Sequence, residues 1–338
     1  MSEMTIYKLA RELNMTPSMV SRAFNPNARV SEAKRKLILQ TAAKYHFSPN
    51  KHASRLSRKP IRIGILLRSR SEVNTEKMLA GIREAHAELR DYKITYEVSL
   101  FTCRDAHEDM RRTLEKYCGY DGIILSGMSA DRYTALIDGA FEKNPSIVQV
   151  QAVNHKAHHL LASKHDEARA SGLASDFLYQ CLRGSQRRNI LLFTGDQQST
   201  VHRDATIAFR ACCERLGLTL LDVVDMQDSE SYFTEILPDV LDKYEKELDG
   251  IYITSGLSLP LCREIEKRGL ILPFVAFDTH DGIREYMEKG IISAAISQNV
   301  KGQMKSAFSA LVSHLITGDE VPETLFTEVQ LKLCTNIR

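Results

Sequence analysis

No apolar run in this chain reaches the roughly 18 residues a membrane-spanning helix requires, so a helical integral membrane protein is excluded. The N-terminus has no basic stretch followed by an apolar one, so no secretory signal is expected and a cytoplasmic location is. Cysteines are seven, an odd number, and no C-x-x-C pair occurs. Cys212 and Cys213 are adjacent, which suits neither metal ligation nor an ordinary disulfide. Reduced, packed thiols are the expectation. Neither a Walker A lysine motif nor G-x-G-x-x-G follows the first β-rich run, and no G-x-S-x-G elbow occurs. His155, His158 and His159 lie close together but lack cysteine or carboxylate partners at metal-ligand spacing, so a solvated loop is expected there. Nothing in this inventory calls for a cofactor, a metal or an enzyme.

What is present is an uneven charge. Residues 1–60 hold 12 Lys and Arg against three acids, leaving 33 bases against 40 acids in the rest. A head of net +9 on a body of net −7 is the footprint of a nucleic-acid binder. Ile6, Leu9, Ala10 and Leu13 place one apolar stripe on a first helix. Asn14 can take the left-handed conformation that stops it. Thr16 then serves as N-cap and Pro17 as first residue of a second helix, running to about Phe24. Val20, Ala23 and Phe24 face inward; Ser18, Ser21 and Arg22, with Asn25 just beyond, face outward. A third helix opens at Ser31-Glu32 and brings Leu37, Ile38, Thr41, Ala42 and Tyr45 as an apolar lid. Two short helices about three residues apart, the second polar outside, form a helix-turn-helix.

Residues 5–25, TIYKLARELNMTPSMVSRAFN, resemble the head of the lactose/galactose repressor (LacI/GalR) family, roughly T-[IL]-x-D-V-A-x-x-A-G-V-S-x-x-T-V-S-R-x-L-N. Thr5, Ile6, Ala10, Pro17, Val20, Ser21, Arg22 and Asn25 fit the pattern or its common variants; Lys8, Asn14, Thr16 and Met19 depart from it. The family's second signature, Y-x-P-N-x-x-A-R-x-L, is matched from Tyr45 to Leu56 with one extra residue before Pro49. The resemblance implies a hinge helix within 49–60, with Asn50, Ala53 and Leu56 at the DNA and Leu56 wedging a minor-groove base step. It further implies that Thr5, Thr16, Pro17, Ser18, Ser21, Arg22 and Asn25 contact operator DNA.

From Ile61 onward short β-rich runs (IRIGILL, ITYEVSL, GIILS, SIVQVQ, NILLF, TLLDVV, GIYIT, FVAF, SAAI) alternate with amphipathic stretches such as Met78, Leu79, Ile82, Ala85, His86 and Leu89. That alternation indicates parallel sheets covered on both faces. Asp121-Gly122-Ile123-Ile124 and Asp249-Gly250-Ile251-Tyr252 lie 128 residues apart, a sign of duplication. The expected fold is therefore an all-α helix-turn-helix head (1–48), a hinge (49–60), and an α/β body (61–338) with two parallel-sheet lobes. The resemblance implies the same body, a type I periplasmic-binding-like sensor. Lobe one is expected over about 61–160 and 292–320, lobe two over about 161–291 and 321–338.

Parallel sheets bind ligands at the carboxyl ends of their strands. The residues following the strands are therefore effector-binding candidates: Arg68, Ser69 and Arg70; Asn154; the 195–203 segment with His202 and Arg203; Ser255; Asp278; and Gln298. The resemblance implies that Asp278 binds ligand hydroxyls and that Gln298 takes part. The family's effector-binding arginine has no direct match: Ala205 stands in its place, with Arg203 two residues earlier. The arginines favour carboxylate or phosphate oxygens and the aspartate favours hydroxyls, so a sugar acid, a sugar phosphate or a neutral sugar each fits.

The function expected is that of a sequence-specific DNA-binding transcription regulator, a repressor, controlled by a small-molecule effector of sugar type. Its partners would be pseudo-palindromic operator DNA and a second copy of the chain. Val329–Arg338 reads as a strand without leucine heptads, so a dimer is expected. A solute-binding protein or an enzyme on the same scaffold are the alternatives, because fold alone does not fix function.

Overall fold

The structure, a computed structural model, describes residues 6–24, 30–45, 47, 59–69, 72–102, 107–279 and 281–337. The expectations for Thr5, Asn25, Asn50, Ala53, Leu56 and Arg70, and for the hinge helix, lie outside the described residues.

Three short helices open the chain: α1 (Ile6–Glu12), α2 (Pro17–Ala23) and α3 (Glu32–Lys44). The Thr16 hydroxyl accepts from the Met19 amide at 3.2 Å, capping α2 directly ahead of Pro17. Asn14 has φ +51°, the left-handed turn between α1 and α2. Leu9, Ala10, Val20, Ala23, Ile38 and Ala42 form one small buried core. Tyr45 donates to Glu12 at 2.9 Å and Arg35 to the Ala23 carbonyl at 3.0 Å, so α3 is tied to both α1 and α2. Leu37 does not share in the lid: it is 47% exposed, because the inward stripe of α3 follows the i, i+4 pair Ile38 and Ala42.

The body is built from two six-stranded sheets of the same strand order. In lobe one, β1 (Ile61–Arg68) lies between β2 (Ile94–Phe101) and β3 (Gly122–Ser126); β4 (Ile147–Val150) and β5 (Leu161–His165) follow outward. In lobe two, β6 (Asn189–Thr194) lies between β7 (Thr219–Asp225) and β8 (Gly250–Ile253), followed by β9 (Phe274–Phe277) and β10 (Ala294–Ser297). All these pairings are parallel. The central strands are buried along their whole length because helices cover both faces. The covering helices are α4 (Glu72–Glu88), α5 (His107–Tyr117), α6 (Thr134–Phe141) and α12 (Val300–Thr317) in lobe one. In lobe two they are α7 (Glu167–Leu182), α8 (Thr200–Leu216), α9 (Glu230–Tyr244), α10 (Ser258–Arg268) and α11 (Asp281–Glu288).

The Asp-Gly repeat has a structural job in each lobe. The Asp121 carboxylate accepts from the Arg62 amide at 2.7 Å while its own amide donates to the Arg62 carbonyl at 2.9 Å. Asp249 does the same to Asn189, at 2.9 Å for both bonds. Each aspartate thereby fixes the start of the third strand beside the start of the first.

The lobe boundaries differ from those expected. Residues 161–165 form β5 of lobe one, 294–297 form β10 of lobe two, and β11 (Thr324–Thr327) joins β5 in lobe one before β12 (Gln330–Lys332) returns antiparallel to β10. The chain thus crosses between lobes at 165–167, 297–300 and 327–330. Leu161-Ala-Ser-Lys-His165 lacks the continuous apolar run of its neighbours, so the last strand before the first crossing has no apolar signature.

Candidate functional site

Between the carboxyl ends of the two sheets lies a cavity of about 290 Å³. Lobe one lines it with Arg68 ending β1 and Ser69 just beyond, Asn74 from α4, Ser126 and Gly127 at the end of β3, Gln151 and Ala152 after β4, and His165 ending β5. Lobe two adds Glu167 and Ala170 from α7, Val201, His202 and Ala205 from α8, and Asp228 after β7. It also adds Tyr252 and Thr254–Leu257 from and after β8, Phe277 and Asp278 from and after β9, and Gln298 after β10.

Of the effector contacts expected from the sequence, Arg68, Ser69, Ser255, Asp278 and Gln298 come together here. Asp278 and Gln298 bind one another: the Gln298 amide donates to Asp278 Oδ1 at 2.7 Å. Asn154 does not line the cavity. Its side-chain amide donates to the Ala130 carbonyl (3.2 Å) and Thr134 (3.0 Å) and its oxygen accepts from the Lys156 amide (3.1 Å), so the group is consumed in holding a loop. Arg203 is also absent from the lining. One residue along α8 from His202 turns it about 100° away, towards Asp131. The Asp131 carboxyl is held below its usual range, first by Lys156 at 2.6 Å and to a smaller extent by Arg203. Ala205 does face the cavity, so a methyl and not a guanidinium fills that position.

Several lining residues were not singled out from the sequence. His165 ends a strand that the apolar pattern does not reveal, Tyr252 lies inside a strand, and Glu167 sits in the first turn of a helix. His202, in the first turn of α8, belongs to the 195–203 segment that the sequence marked by its place after a strand. Three lining residues, Gln151 (φ +66°), Asp228 (φ +51°) and Asp278 (φ +67°), hold left-handed backbone. Such strain in non-glycine residues gathers at ligand sites. Gly127 (φ +82°) lets the Arg68 side chain lie across it, where a Cβ would collide.

Burial governs the electrostatics. His165 is driven down to about 4, chiefly by burial and against the nearby Asp278 carboxylate. Glu167 is raised, first by burial, although Lys164 lies 3.1 Å away. Burial also raises the Tyr252 hydroxyl.

The lobes touch on both sides of the cavity. Ser129 and Ser199 hydroxyls meet at 2.8 Å beside an antiparallel bridge between Ala130 and Ser199, and Thr200 donates to the Val153 carbonyl at 2.6 Å. Opposite, Lys77 donates to the Thr279 carbonyl at 2.5 Å. The cleft is therefore closed. Ser297 faces away, lining a second depression of about 240 Å³ with Thr279 and Asn299.

In the head, Thr16, Ser18, Ser21 and Arg22 are exposed and Pro17 is half-buried. They form the outer side of α2, opposite Val20 and Ala23. No helix among the described residues is long and apolar enough to cross a membrane, and no group of metal-ligating side chains occurs among them.

A family model described as a periplasmic binding protein domain matches residues 63–320. Catabolite control protein A of Priestia megaterium is 24% identical over 277 residues, covering 80% of this chain and 79% of that protein. GanP, a glucose-galactose binding protein from Geobacillus stearothermophilus, superposes with a TM-score of 0.73 at 18% identity, over 83% of this chain and 99% of that one. A candidate LacI transcriptional regulator from Bacteroides fragilis gives 0.72 at 17% identity, over 82% and 99%. At these identities the structural likeness is one of fold.

Proposed function

The chain belongs to the periplasmic binding protein domain family, and from that premise we propose that it is a DNA-binding transcription regulator controlled by a small polyhydroxylated effector. The observation that carries the reading is the basic three-helix head. It lies within residues 1–60, which precede the family match and carry net +9, and it presents Ser18, Ser21 and Arg22 outward from a capped helix. In a dimer, two such helices would enter successive major grooves of a pseudo-palindromic site. The Asn50–Leu56 segment would reach the minor groove between them. The relatedness to a protein named for catabolite control supports the same reading.

The effector would act by differential affinity. A molecule seated between the lobes stabilises the closed arrangement over an open one and so shifts the equilibrium that sets the spacing of the two heads. The likeness to a glucose-galactose binding protein gives the second reading, a solute-binding protein without DNA affinity.

A gel shift with the DNA upstream of the coding sequence, against random DNA of equal length, separates the two. Preference for the upstream DNA is expected, and Arg22→Ala should cost about 1–3 kcal/mol on that DNA only, if it reads a guanine edge. Weak and equal binding to both DNAs would leave the solute-binding reading standing.

A further inference from the structure

We infer that Tyr252, His165 and His202 are the specificity-determining contacts of the cavity, selecting a hydroxyl-rich ligand that carries no anionic group over its carboxylate or phosphate counterpart. The inference rests on the effector-sensing reading of the same cavity. Buried polar groups in folded proteins have partners, and one left without carries its full desolvation cost. Among the described residues, five buried side-chain atoms lack a hydrogen-bond partner, and three of them belong to cavity-lining residues: His165 Nδ1, His202 Nε2 and the Tyr252 hydroxyl. The neighbouring Ser171 hydroxyl donates to the Ala205 carbonyl at 3.2 Å, and its approach to the Tyr252 phenol lacks the geometry of a hydrogen bond. His202 Nε2 lies 3.2 Å from Asp228 Oδ1 without the alignment of a hydrogen bond. His165 meets the Phe277 ring, at 5.5 Å between centroids, which satisfies no polar atom. Unmet capacity gathered around one cavity is what a bound molecule would fill. A phenol and an imidazole each offer hydrogen-bonding capacity to a sugar hydroxyl, which can both donate and accept.

Charge decides against an anion. The Lys164 ammonium is spent on Glu167 at 3.1 Å, and Arg68 is already engaged by its neighbours. Asp228 and Asp278 add two carboxylates to the lining. Gln298 takes one oxygen of Asp278 and leaves the other for a ligand hydroxyl. Burial keeps His165 below the usual histidine range, so it supplies no countercharge near neutral pH. A carboxylate or phosphate here would face two like charges against the single guanidinium of Arg68. Of the anionic and neutral ligands that the sequence leaves open, the cavity favours the neutral one. Its volume, about 290 Å³, is at the low end of the roughly 300–1,000 Å³ typical of ligand pockets and suits a monosaccharide-sized molecule.

The test is calorimetry on the full chain with D-glucose, D-galactose and D-ribose, each beside its matched anion: glucuronate, galacturonate and ribose 5-phosphate. At least one neutral sugar should bind, with its anion about 10-fold weaker or worse. Tyr252→Phe should weaken that sugar about 10-fold, the loss of one hydrogen bond. It should leave the ligand-free Tm unchanged or higher, because the hydroxyl it removes has no partner. A residue with only a structural role would lower Tm and spare affinity. His202→Gln and His165→Gln, read the same way, cover the case in which Tyr252→Phe does not fold. An anion that binds as tightly as its neutral partner, variants that keep full affinity, or a panel in which nothing binds would each overturn the inference. The gel shift described above reports on the regulator reading independently, so the two failures remain distinguishable.

Discussion

Gly195 shows how tightly single residues constrain the cavity wall. A Cβ built there would collide with both Asp228 Oδ1 and His202 Nε2, the two groups that close the lobe-two end of the site. Neither can retreat freely, since His202 is 5% exposed and Asp228 sits on left-handed backbone. Gly195→Ala should therefore displace the His202–Asp228 pair, weaken effector binding about 10-fold or more, and cost about 1–3 kcal/mol of stability through overpacking. Gly139 is the control. It lies within α6 with open space around its missing Cβ, so Gly139→Ala should leave binding intact and stabilise the protein by up to about 1 kcal/mol. Denaturant melts and calorimetry on the two variants check both statements; equal behaviour would show that His202 and Asp228 do not hold the site. Residue-level legibility from the sequence followed one rule, that side chains after strands reach the cleft. The rule placed Arg68, Ser69, Ser255, Asp278 and Gln298. It failed for Asn154, which follows a strand but turns inward to satisfy the Ala130 carbonyl. It could not reach Tyr252, whose side chain comes from inside a strand.

At the scale of elements, strands that bury both faces in apolar packing were legible as apolar runs, and the strands at the crossings were not. β5 is the clearest case. It is buried along its length yet ends in Ser163, Lys164 and His165, because its polar groups meet the crossing segments and the cavity and not a hydrophobic layer. Ser163 donates to the Gln303 carbonyl at 2.9 Å, Lys164 pairs with Glu167, and His165 faces the cavity. The β5 end consequently carries a pH liability. Burial lowers His165 from 6.5 to about 4; Asp278 and Asp166 oppose the shift, and Lys164 and His202 reinforce it. Between those two values the unfolded chain binds the proton that the folded chain refuses, so stability rises with pH through this window. The contribution is complete above about pH 6.5 and is lost as the pH falls towards 4, by up to about 3 kcal/mol. His165→Gln, which cannot titrate, should show a flatter Tm profile between pH 7 and pH 4.5 than the unaltered protein. Parallel profiles would show that acid sensitivity arises elsewhere.

For the whole molecule, the question is what holds the lobes together before an effector arrives. Among the described residues the bonds that span the cleft are local: Ser129 to Ser199, Thr200 to the Val153 carbonyl, His155 to Asp204 at 3.5 Å, and Lys77 to the Thr279 carbonyl. The three crossings are tied to one another by separate bonds: the Thr327 hydroxyl lies 3.4 Å from the Lys164 carbonyl and 3.5 Å from the Gln298 carbonyl. The crossings can therefore act as a hinge while the cleft bonds form and break. A typical hydrogen bond contributes about 1 kcal/mol net, which is comparable to the few kcal/mol separating open and closed states. Thr200→Val removes one cleft bond, leaves the Val153 carbonyl without its partner, and keeps the shape of a buried side chain that lies in the first turn of α8 and is absent from the cavity lining. It should shift the ligand-free protein towards the open form and weaken effector binding about 5-fold, because part of the binding energy then goes into closure. Small-angle scattering should record a larger radius of gyration without ligand and the same radius as the unaltered protein at saturation. Specific DNA affinity, measured by gel shift, should change in the direction opposite to the effect of added ligand, since variant and ligand bias one equilibrium in opposite senses. Unchanged scattering with unchanged affinity would mean that the closed arrangement is held by the crossings themselves and not by the contacts across the cleft.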